Sequence, residues 1–104
     1  MERYLQNIVK DKIIELYPVL TKKDIRTSMV GENNADIKLL SHTAKKLFPY
    51  SVECKNRNEF KGVYNGIRQA IKHSPREPVL VIKMNREKPL AIIDLDHFFK
   101  LLSD

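Results

Sequence analysis

The sequence predicts an α/β fold with a mixed central sheet flanked by helices. Apolar residues recur at helical spacing over residues 2–17 and 59–73. Short alternating stretches predict strands, and residues 78–84 form a nearly continuous apolar run, typical of a strand that is buried on both faces. With 104 residues, the chain fits one domain, 1–104, around a single small core.

In the first half of the chain, the predicted helix ends at Pro18, and residues 25–30 are predicted as a short strand. The clearest turn is GENN (31–34), because Gly and Asn tolerate positive φ. We expect residues 35–40 and 49–55 to be strands that pair as an antiparallel hairpin, with the polar connection SHTAKKL between them.

In the second half, residues 59–73 are predicted as a helix with one apolar stripe, and the SPREP stretch ends it. Strands are expected at 78–84 and 89–94, separated by the turn NREK. An amphipathic helix at 95–102 follows. The predicted order of elements is therefore α-β-β-β-α-β-β-α.

Composition and motifs exclude several classes of protein. A single cysteine, Cys54, rules out an internal disulfide and a cysteine zinc cluster, and it favours a reducing, cytoplasmic location. No apolar stretch reaches the roughly 18 residues that a membrane helix needs, and the start MERYLQ does not resemble a signal peptide. The chain also has no Gly-rich phosphate loop, no HExxH and no GxSxG motif.

The positive charge is concentrated in one segment. The chain has a net charge of +6, and residues 55–76 hold six basic residues against Glu59 alone, or +5. Lys61, Arg68 and Lys72 share one helical stripe in that segment. A local basic patch indicates a polyanionic partner, so this stripe is predicted to contact nucleic-acid phosphates. The alternative is an ordinary solvated helix face.

The triplet Glu53-Cys54-Lys55 is the strongest candidate for chemistry. It is one of three acid-x-Lys triplets, and it lies late in an apolar strand, where a charged pair is costly unless it is used. Across the predicted hairpin, Asp36 begins the neighbouring strand. Cys54 itself alternates onto the core face and has no evident His partner, so a buried structural thiol is predicted there.

Two carboxylates from adjacent strands, Asp36 and Glu53, would form the oxygen-rich kind of site that a hard divalent ion prefers. Lys55 faces the same way as Glu53, and a lysine there can orient an attacking water and stabilise charge on a phosphate oxygen. The alternative is an exposed strand face with an ordinary cross-strand ion pair, which contributes little to stability. The residues alone leave both interpretations open.

These motifs, in this order, resemble the PD-(D/E)xK nuclease superfamily, in particular the archaeal Holliday-junction resolvases and small phage endonucleases. The likeness lies in GENNADIKL, FPYSVECKNR, the helix containing IRQA and the strand PVLVIKM, and it covers roughly residues 2–100. It implies a restriction-endonuclease-like αβββαβ core and a Mg²⁺-dependent endonuclease, with Mn²⁺ as a substitute, that acts on branched DNA as a homodimer. If the protein is phage-encoded, the location implied is the host-cell cytoplasm. Ala35 stands where the motif's name has proline.

The resemblance also implies roles for individual residues. Asp36 and Glu53 would be the metal-binding acids, with the carbonyl of Cys54 as a further ligand, and Lys55 would be the motif lysine. Resolvase-like members add a glutamate from the first helix. Because of its place at the helix start, Glu2 is favoured for this role over Glu15, although a Glu in a first helical turn is also favoured by the helix dipole.

The residues expected to contact DNA come from the basic segment and the helix within it. Gln69 is included because several family members keep a polar residue there, although a solvent-facing Gln is the alternative. The set is Arg57, Lys61, Arg68, Gln69 and Lys72.

A second function also stays open, because a non-catalytic nucleic-acid-binding module or an inactivated nuclease-fold scaffold explains the basic helix and the pI near 9.5 equally well. It does not explain why two acids and a lysine should converge. The last predicted helix is apolar on more than one side, which predicts either core packing or a dimer surface at Phe98, Phe99 and Leu102.

Overall fold

The structure is a computed structural model that describes residues 2–32, 35–56 and 58–103, with the side chains of Glu2 and Asn58 outside that description. The described residues form a mixed α/β chain with four α-helices and two separate two-stranded antiparallel sheets. The chain divides into two compact units, unit 1 (Met1–Asn56) and unit 2 (Arg57–Asp104). That residues 1–104 form a single domain stays a prediction.

Unit 1 combines two helices with one small sheet. Its elements are α1 (Glu2–Leu16), β1 (Ile25–Thr27), β2 (Ile37–Leu39) and α2 (His42–Leu47). Helix α1 packs against β1, which pairs with β2. The register places Ile25 opposite Leu39, Arg26 opposite Lys38 and Thr27 opposite Ile37.

The core of unit 1 is built from side chains of every element. Val9 and Ile13 lie one helical turn apart on α1 and are both buried. Ile25 and Ile37 are buried on the sheet, and Arg26 therefore lies on the opposite face, because side chains alternate along a strand. The buried apolar residues of unit 1 are Val9, Ile13, Leu20, Ile25, Ile37, Ala44, Phe48 and Cys54.

The strand pairing predicted for unit 1 is wrong. Strand β2 pairs with β1, not with residues 49–55, which form no strand. The two strands are joined across the predicted turn, where Gly31 has a φ of 86° that favours glycine. Asn33 and Asn34 of that turn lie outside the described residues. The turn GENN lies directly between residues 25–30 and 35–40, and it indicated the strand pairing better than the apolar residues at 49–55 did.

The predicted connection SHTAKKL is also corrected, because it forms helix α2. The helix begins after Ser41, whose Oγ accepts a hydrogen bond from Ala44 N–H at 3.0 Å. Lys45 and Lys46 lie in the last turn, where positive charge is favoured by the helix dipole. A helix of six residues is too short to show periodicity, so this cap was the available signal.

Unit 2 follows the predicted order of a helix, two strands and a helix. After a short 3₁₀ turn (Asn58–Phe60) come α3 (Lys61–His73), β3 (Val79–Ile82), β4 (Leu90–Ile93) and α4 (Leu95–Leu102). Strands β3 and β4 pair as an antiparallel hairpin. Helix α4 begins after its capping residue Asp94, whose Oδ2 accepts a hydrogen bond from His97 N–H at 2.9 Å.

The prediction that residues 78–84 are buried on both faces is wrong. Helix α3 packs against β3, and a methyl group added at Gly66 would lie 2.9 Å from Leu80 Cδ1. Val79 and Val81 alternate with Leu80, and they are 50% and 65% exposed. One face of β3 is therefore covered by α3 and the other is open. The predicted mixed central sheet is likewise absent among the described residues, where both sheets are antiparallel.

Candidate functional site

Asp36 is held at the start of β2 by its backbone. Its carbonyl accepts a hydrogen bond from Ser28 N–H at 2.8 Å, just beyond the last paired residues of β1 and β2. Its own N–H donates to the carbonyl of Val52 at 2.9 Å. The second contact places the segment around residue 52 beside Asp36, although that segment is not a strand.

The Asp36 side chain joins the same segment. Cys54 N–H donates a hydrogen bond to Asp36 Oδ2 at 2.6 Å, a short distance that is typical of a charge-assisted bond. The Cys54 side chain is buried, which confirms the predicted burial of its thiol, and Asp36 is half-buried. The predicted proximity of Asp36 to the triplet is therefore present, by a different route from the predicted hairpin.

Glu53 and Lys55 lie on either side of Cys54 and are exposed. The Lys55 Nζ and Glu53 Oε2 atoms are 3.3 Å apart, and the side chains are 45% and 62% exposed, respectively. An ion pair this exposed contributes little to stability, so both groups can exchange partners at small cost. The half-buried Asp36 carboxylate thus contacts Cys54 N–H, and the exposed Glu53 and Lys55 are the chain neighbours of Cys54.

The donor set suits a hard ion only in part. The carboxylates of Asp36 and Glu53 and the backbone carbonyl of Cys54 are the kinds of oxygen ligand that a hard ion prefers. Among residues 2–32, 35–56 and 58–103, no three His, Cys, Asp or Glu side chains are grouped so as to hold a metal ion. Two carboxylates are nevertheless what Mg²⁺ commonly takes from a protein, because its other ligands are waters and substrate phosphates.

The helix carboxylate and one basic residue cannot be placed. The Glu2 side chain and Arg57 lie outside the described residues, whereas Glu15 is exposed on α1. One turn after Glu2, Gln6 is buried, and its Oε1 accepts no hydrogen bond from any described residue. The sequence signal for this feature was a glutamine on the apolar stripe of α1, and its burial was not predicted.

The predicted DNA-contacting side chains of unit 2 are exposed on α3. They are Lys61, Arg68, Gln69 and Lys72. Arg68 Nη2 donates a hydrogen bond to Asn65 Oδ1 at 2.7 Å, one helical turn earlier. The open position of the stripe agrees both with phosphate binding and with a solvated helix face.

Sequence reasoning missed an ion pair in unit 1. The Arg26 guanidinium donates two hydrogen bonds to the Glu32 carboxylate, from Nη1 to Oε1 at 2.8 Å and from Nη2 to Oε2 at 3.0 Å. These bonds, with that from Met29 N–H and the nearby Lys38 charge, lower the pKa of Glu32 from its usual 4.5 to about 2. The available signal was the outward position of Arg26, six residues before an acid in a turn.

Comparison with known proteins adds no relative. No protein-family model, no curated protein and no solved structure matches this chain. Across the described residues, none of the helices combines the length and apolar character required to cross a membrane.

Proposed function

We propose that the chain is a metal-dependent endonuclease that hydrolyses DNA phosphodiester bonds. The observation that carries this proposal is the hydrogen bond from Cys54 N–H to Asp36 Oδ2, because it links two parts of the chain 18 residues apart. An acid-x-Lys triplet arises easily by chance in a sequence. A carboxylate elsewhere in the chain that accepts a hydrogen bond from the backbone of such a triplet does not follow from composition. The order of motifs in the sequence resembles that of PD-(D/E)xK nucleases and supports the same proposal, whereas residues 49–55 do not form the third strand of that family's αβββαβ core.

In this proposal, Asp36, Glu53 and the carbonyl of Cys54 hold Mg²⁺, for which Mn²⁺ would substitute. Glu2 is the candidate for a further ligand. The ion would supply positive charge at the scissile phosphate. The hydrogen bond from Cys54 N–H to Oδ2 restrains the Asp36 carboxylate. A restrained carboxylate needs less reorganisation to bind an ion than a free one.

Lys55 has a separate role. Its ammonium group carries no lone pair, so it is not a metal ligand, and it can donate hydrogen bonds to the attacking water and to a phosphate oxygen. Its present partner is Glu53, at 3.3 Å. If Glu53 bound an ion, Lys55 could bind the phosphate instead of Glu53. Because the ion pair between Lys55 and Glu53 is exposed, breaking it would cost little free energy.

The test is a cleavage assay in Mg²⁺ on linear, single-stranded, flap and four-way DNA. Four-way DNA is the expected preference, because junction resolvases are among the proteins that the sequence resembles.

Asp36→Asn and Glu53→Gln should lose both ion binding and cleavage. Lys55→Ala should keep the ion and lose cleavage by about 10²–10³-fold or more. Asp11→Asn, which removes an exposed acid that pairs with Lys10 at 3.7 Å, is the matched control and should cut at the parental rate. Parental cleavage by all three site variants would exclude the site.

DNA binding is expected to use the exposed stripe of α3. Lys61→Ala and Arg68→Ala should each reduce the slope of log affinity against log salt by about one unit, irrespective of sequence. Lys100→Ala, on α4, removes the same charge outside the stripe and is the control. An unchanged slope in both stripe variants would make α3 an ordinary solvated face.

The second candidate function is a non-catalytic nucleic-acid-binding module or an inactivated scaffold. The exposed basic stripe of α3 agrees with it equally well, because phosphate binding there needs no ion site. DNA binding with the predicted salt slope, together with no cleavage in Mg²⁺ or Mn²⁺, would support this candidate.

The homodimer stays a prediction. Phe99 is buried within the chain, whereas Phe98 and Leu102 are half-buried, and sedimentation at micromolar concentration would test their pairing.

A further inference from the structure

The side chains of Arg26 and Glu32 form a closed clamp at one end of the β1–β2 sheet, which we call the turn clamp. Arg26 also donates from Nη1 to the carbonyl of Thr27 at 3.1 Å, and Glu32 Oε1 accepts a hydrogen bond from Met29 N–H. The clamp therefore binds backbone groups on both sides of Ser28. A bidentate guanidinium–carboxylate pair restrains the orientation of both side chains in addition to pairing their charges, because both groups are planar.

The clamp also balances like charges across the sheet. Arg26 lies directly opposite Lys38 in the register of β1 and β2, and like charges in that position destabilise a sheet. The carboxylate of Glu32 interacts with both cations. Removing its charge while keeping its shape would thus weaken the clamp and leave two cations opposed.

The clamped end of the sheet is the end that carries Asp36. Ser28 N–H belongs to the peptide whose Thr27 carbonyl accepts from Arg26, and it donates to the Asp36 carbonyl at 2.8 Å. Asp36 in turn contacts Val52 and Cys54. Strands β1 and β2 have only three residues each, and a two-stranded sheet of that size is marginal alone. The end of such a sheet frays unless side chains close it.

We propose that Arg26 and Glu32 are positioning residues that hold Asp36 against Cys54 N–H. They touch neither ion nor substrate, and they act through Ser28 and the Asp36 backbone. The catalytic meaning of this role rests on the proposed nuclease function, whereas the positioning itself is a property of unit 1 and is measured without cleavage.

The test follows the Cys54 amide by NMR in the full chain, because its proton lies in the bond to Asp36. Glu32→Gln keeps the shape and one acceptor oxygen, and Arg26→Lys keeps the charge but loses the planar fork. Both should shift the Cys54 amide signal and speed its hydrogen exchange by about two- to tenfold. Asp11→Asn should leave the signal unchanged. Parental shifts for Val9 and Ile13 in each variant would show that the core of unit 1 is intact.

Glu32→Gln/Lys38→Gln is a second, independent variant. It removes one of the opposed cations, so it should recover part of the change that Glu32→Gln causes at Cys54. Mg²⁺ titration is measured alongside, and its midpoint should rise by about two- to tenfold in Glu32→Gln.

The outcomes separate the two proposals. If Glu32→Gln and Arg26→Lys disturb the Cys54 amide while the parent neither binds Mg²⁺ nor cuts DNA, the positioning role stands and the nuclease proposal fails. If the parent cuts DNA and Asp36→Asn abolishes cutting, but both clamp variants keep the parental Cys54 signal and Mg²⁺ midpoint, the positioning role is overturned and the nuclease proposal stands.

Discussion

The two units differ in how they use similar apolar sequence. Unit 1 buries eight apolar residues, whereas in unit 2 Phe99 is the buried apolar residue among those described. The run VLVI of β3 is as apolar as any stretch of unit 1, yet Val81 is 65% exposed. Burial therefore depends on how many elements cover a strand, since one helix covers one face only. The difference indicates that unit 1, which holds the proposed site, has the better packed core of the two units.

The polar contacts differ in the same direction. In unit 1, hydrogen bonds join residues distant in sequence, as in Asp36 with Cys54 and in Leu40 N–H with the Asp24 carbonyl at 2.7 Å. In unit 2, the side-chain hydrogen bonds described are local, as in the Asp94 cap of α4, and a longer contact places His97 Nδ1 3.8 Å from Glu77 Oε1. Long-range bonds constrain the positions of separate segments relative to one another, and a site assembled from residues 36 and 53–55 requires such constraint.

The largest expected effect compares a buried residue of unit 1 with an exposed residue of unit 2. Ile13→Ala removes a fully buried side chain of unit 1 and should lower the free energy of unfolding by about 2–5 kcal/mol. Val81→Ala removes an exposed side chain of β3 and should change it by about 0.5 kcal/mol or less. Urea unfolding followed by NMR signals of each unit is the measurement. Comparable losses in the two variants would mean that the open face of β3 is covered in solution.

Acid should weaken unit 1 through Glu32. The folded-state pKa of Glu32 is about 2, below its usual 4.5, because Arg26, the Met29 N–H and then Lys38 favour the charged form. The hydrogen bond with Ser41, followed by that from Thr21 N–H, lowers the pKa of Asp24 as well. A depressed carboxyl pKa adds stability that is present above the unfolded pKa and is lost as pH falls through the folded one.

We therefore expect the parent to lose stability relative to Glu32→Gln as pH falls from about 4.5 through about 2. The two proteins should converge at the acid end, because protonation and amidation remove the same charge. Asp11→Asn is the control. A difference between parent and Glu32→Gln that is independent of pH would show that the carboxylate charge does not stabilise the turn clamp.

The smallest expected effect concerns the two glycines of α3. Gly62→Ala should stabilise the helix by up to about 1 kcal/mol, because nothing lies within 4 Å of the added carbon. Gly66→Ala gains the same helix propensity but must displace the Leu80 methyl groups, so it should be neutral or destabilising. Thermal unfolding of the matched pair measures the difference. Equal stabilisation by both would mean that α3 does not pack on β3 at Leu80.

The sequence was most informative where periodicity is long. The helices at 2–16, 61–73 and 95–102 were predicted to within two residues, since apolar residues recur over several turns in each. Strand pairing was predicted incorrectly, because alternation identifies a face and not a partner. The burial of β3 was also predicted incorrectly, because an apolar run indicates what a strand can bury, not what covers it.

The candidate site was predicted in part. The proximity of Asp36 to Glu53-Cys54-Lys55 was predicted from a hairpin of residues 35–40 with 49–55 that does not form, and it is present instead through contacts of Asp36 with Val52 and Cys54. The hydrogen bond from the Cys54 amide depends on backbone positions 18 residues apart, which no local pattern encodes. The same holds for the turn clamp, whose two side chains meet only after the chain reverses at Gly31.

The most direct test is a Mg²⁺ titration of the isotope-labelled chain, read at backbone amides. We predict saturable shifts at Glu53 and Cys54 in unit 1, small changes along α3, and loss of the saturable shifts in Asp36→Asn. Absence of saturable shifts at Cys54, or the same shifts in Asp36→Asn, would contradict an ion site at these residues.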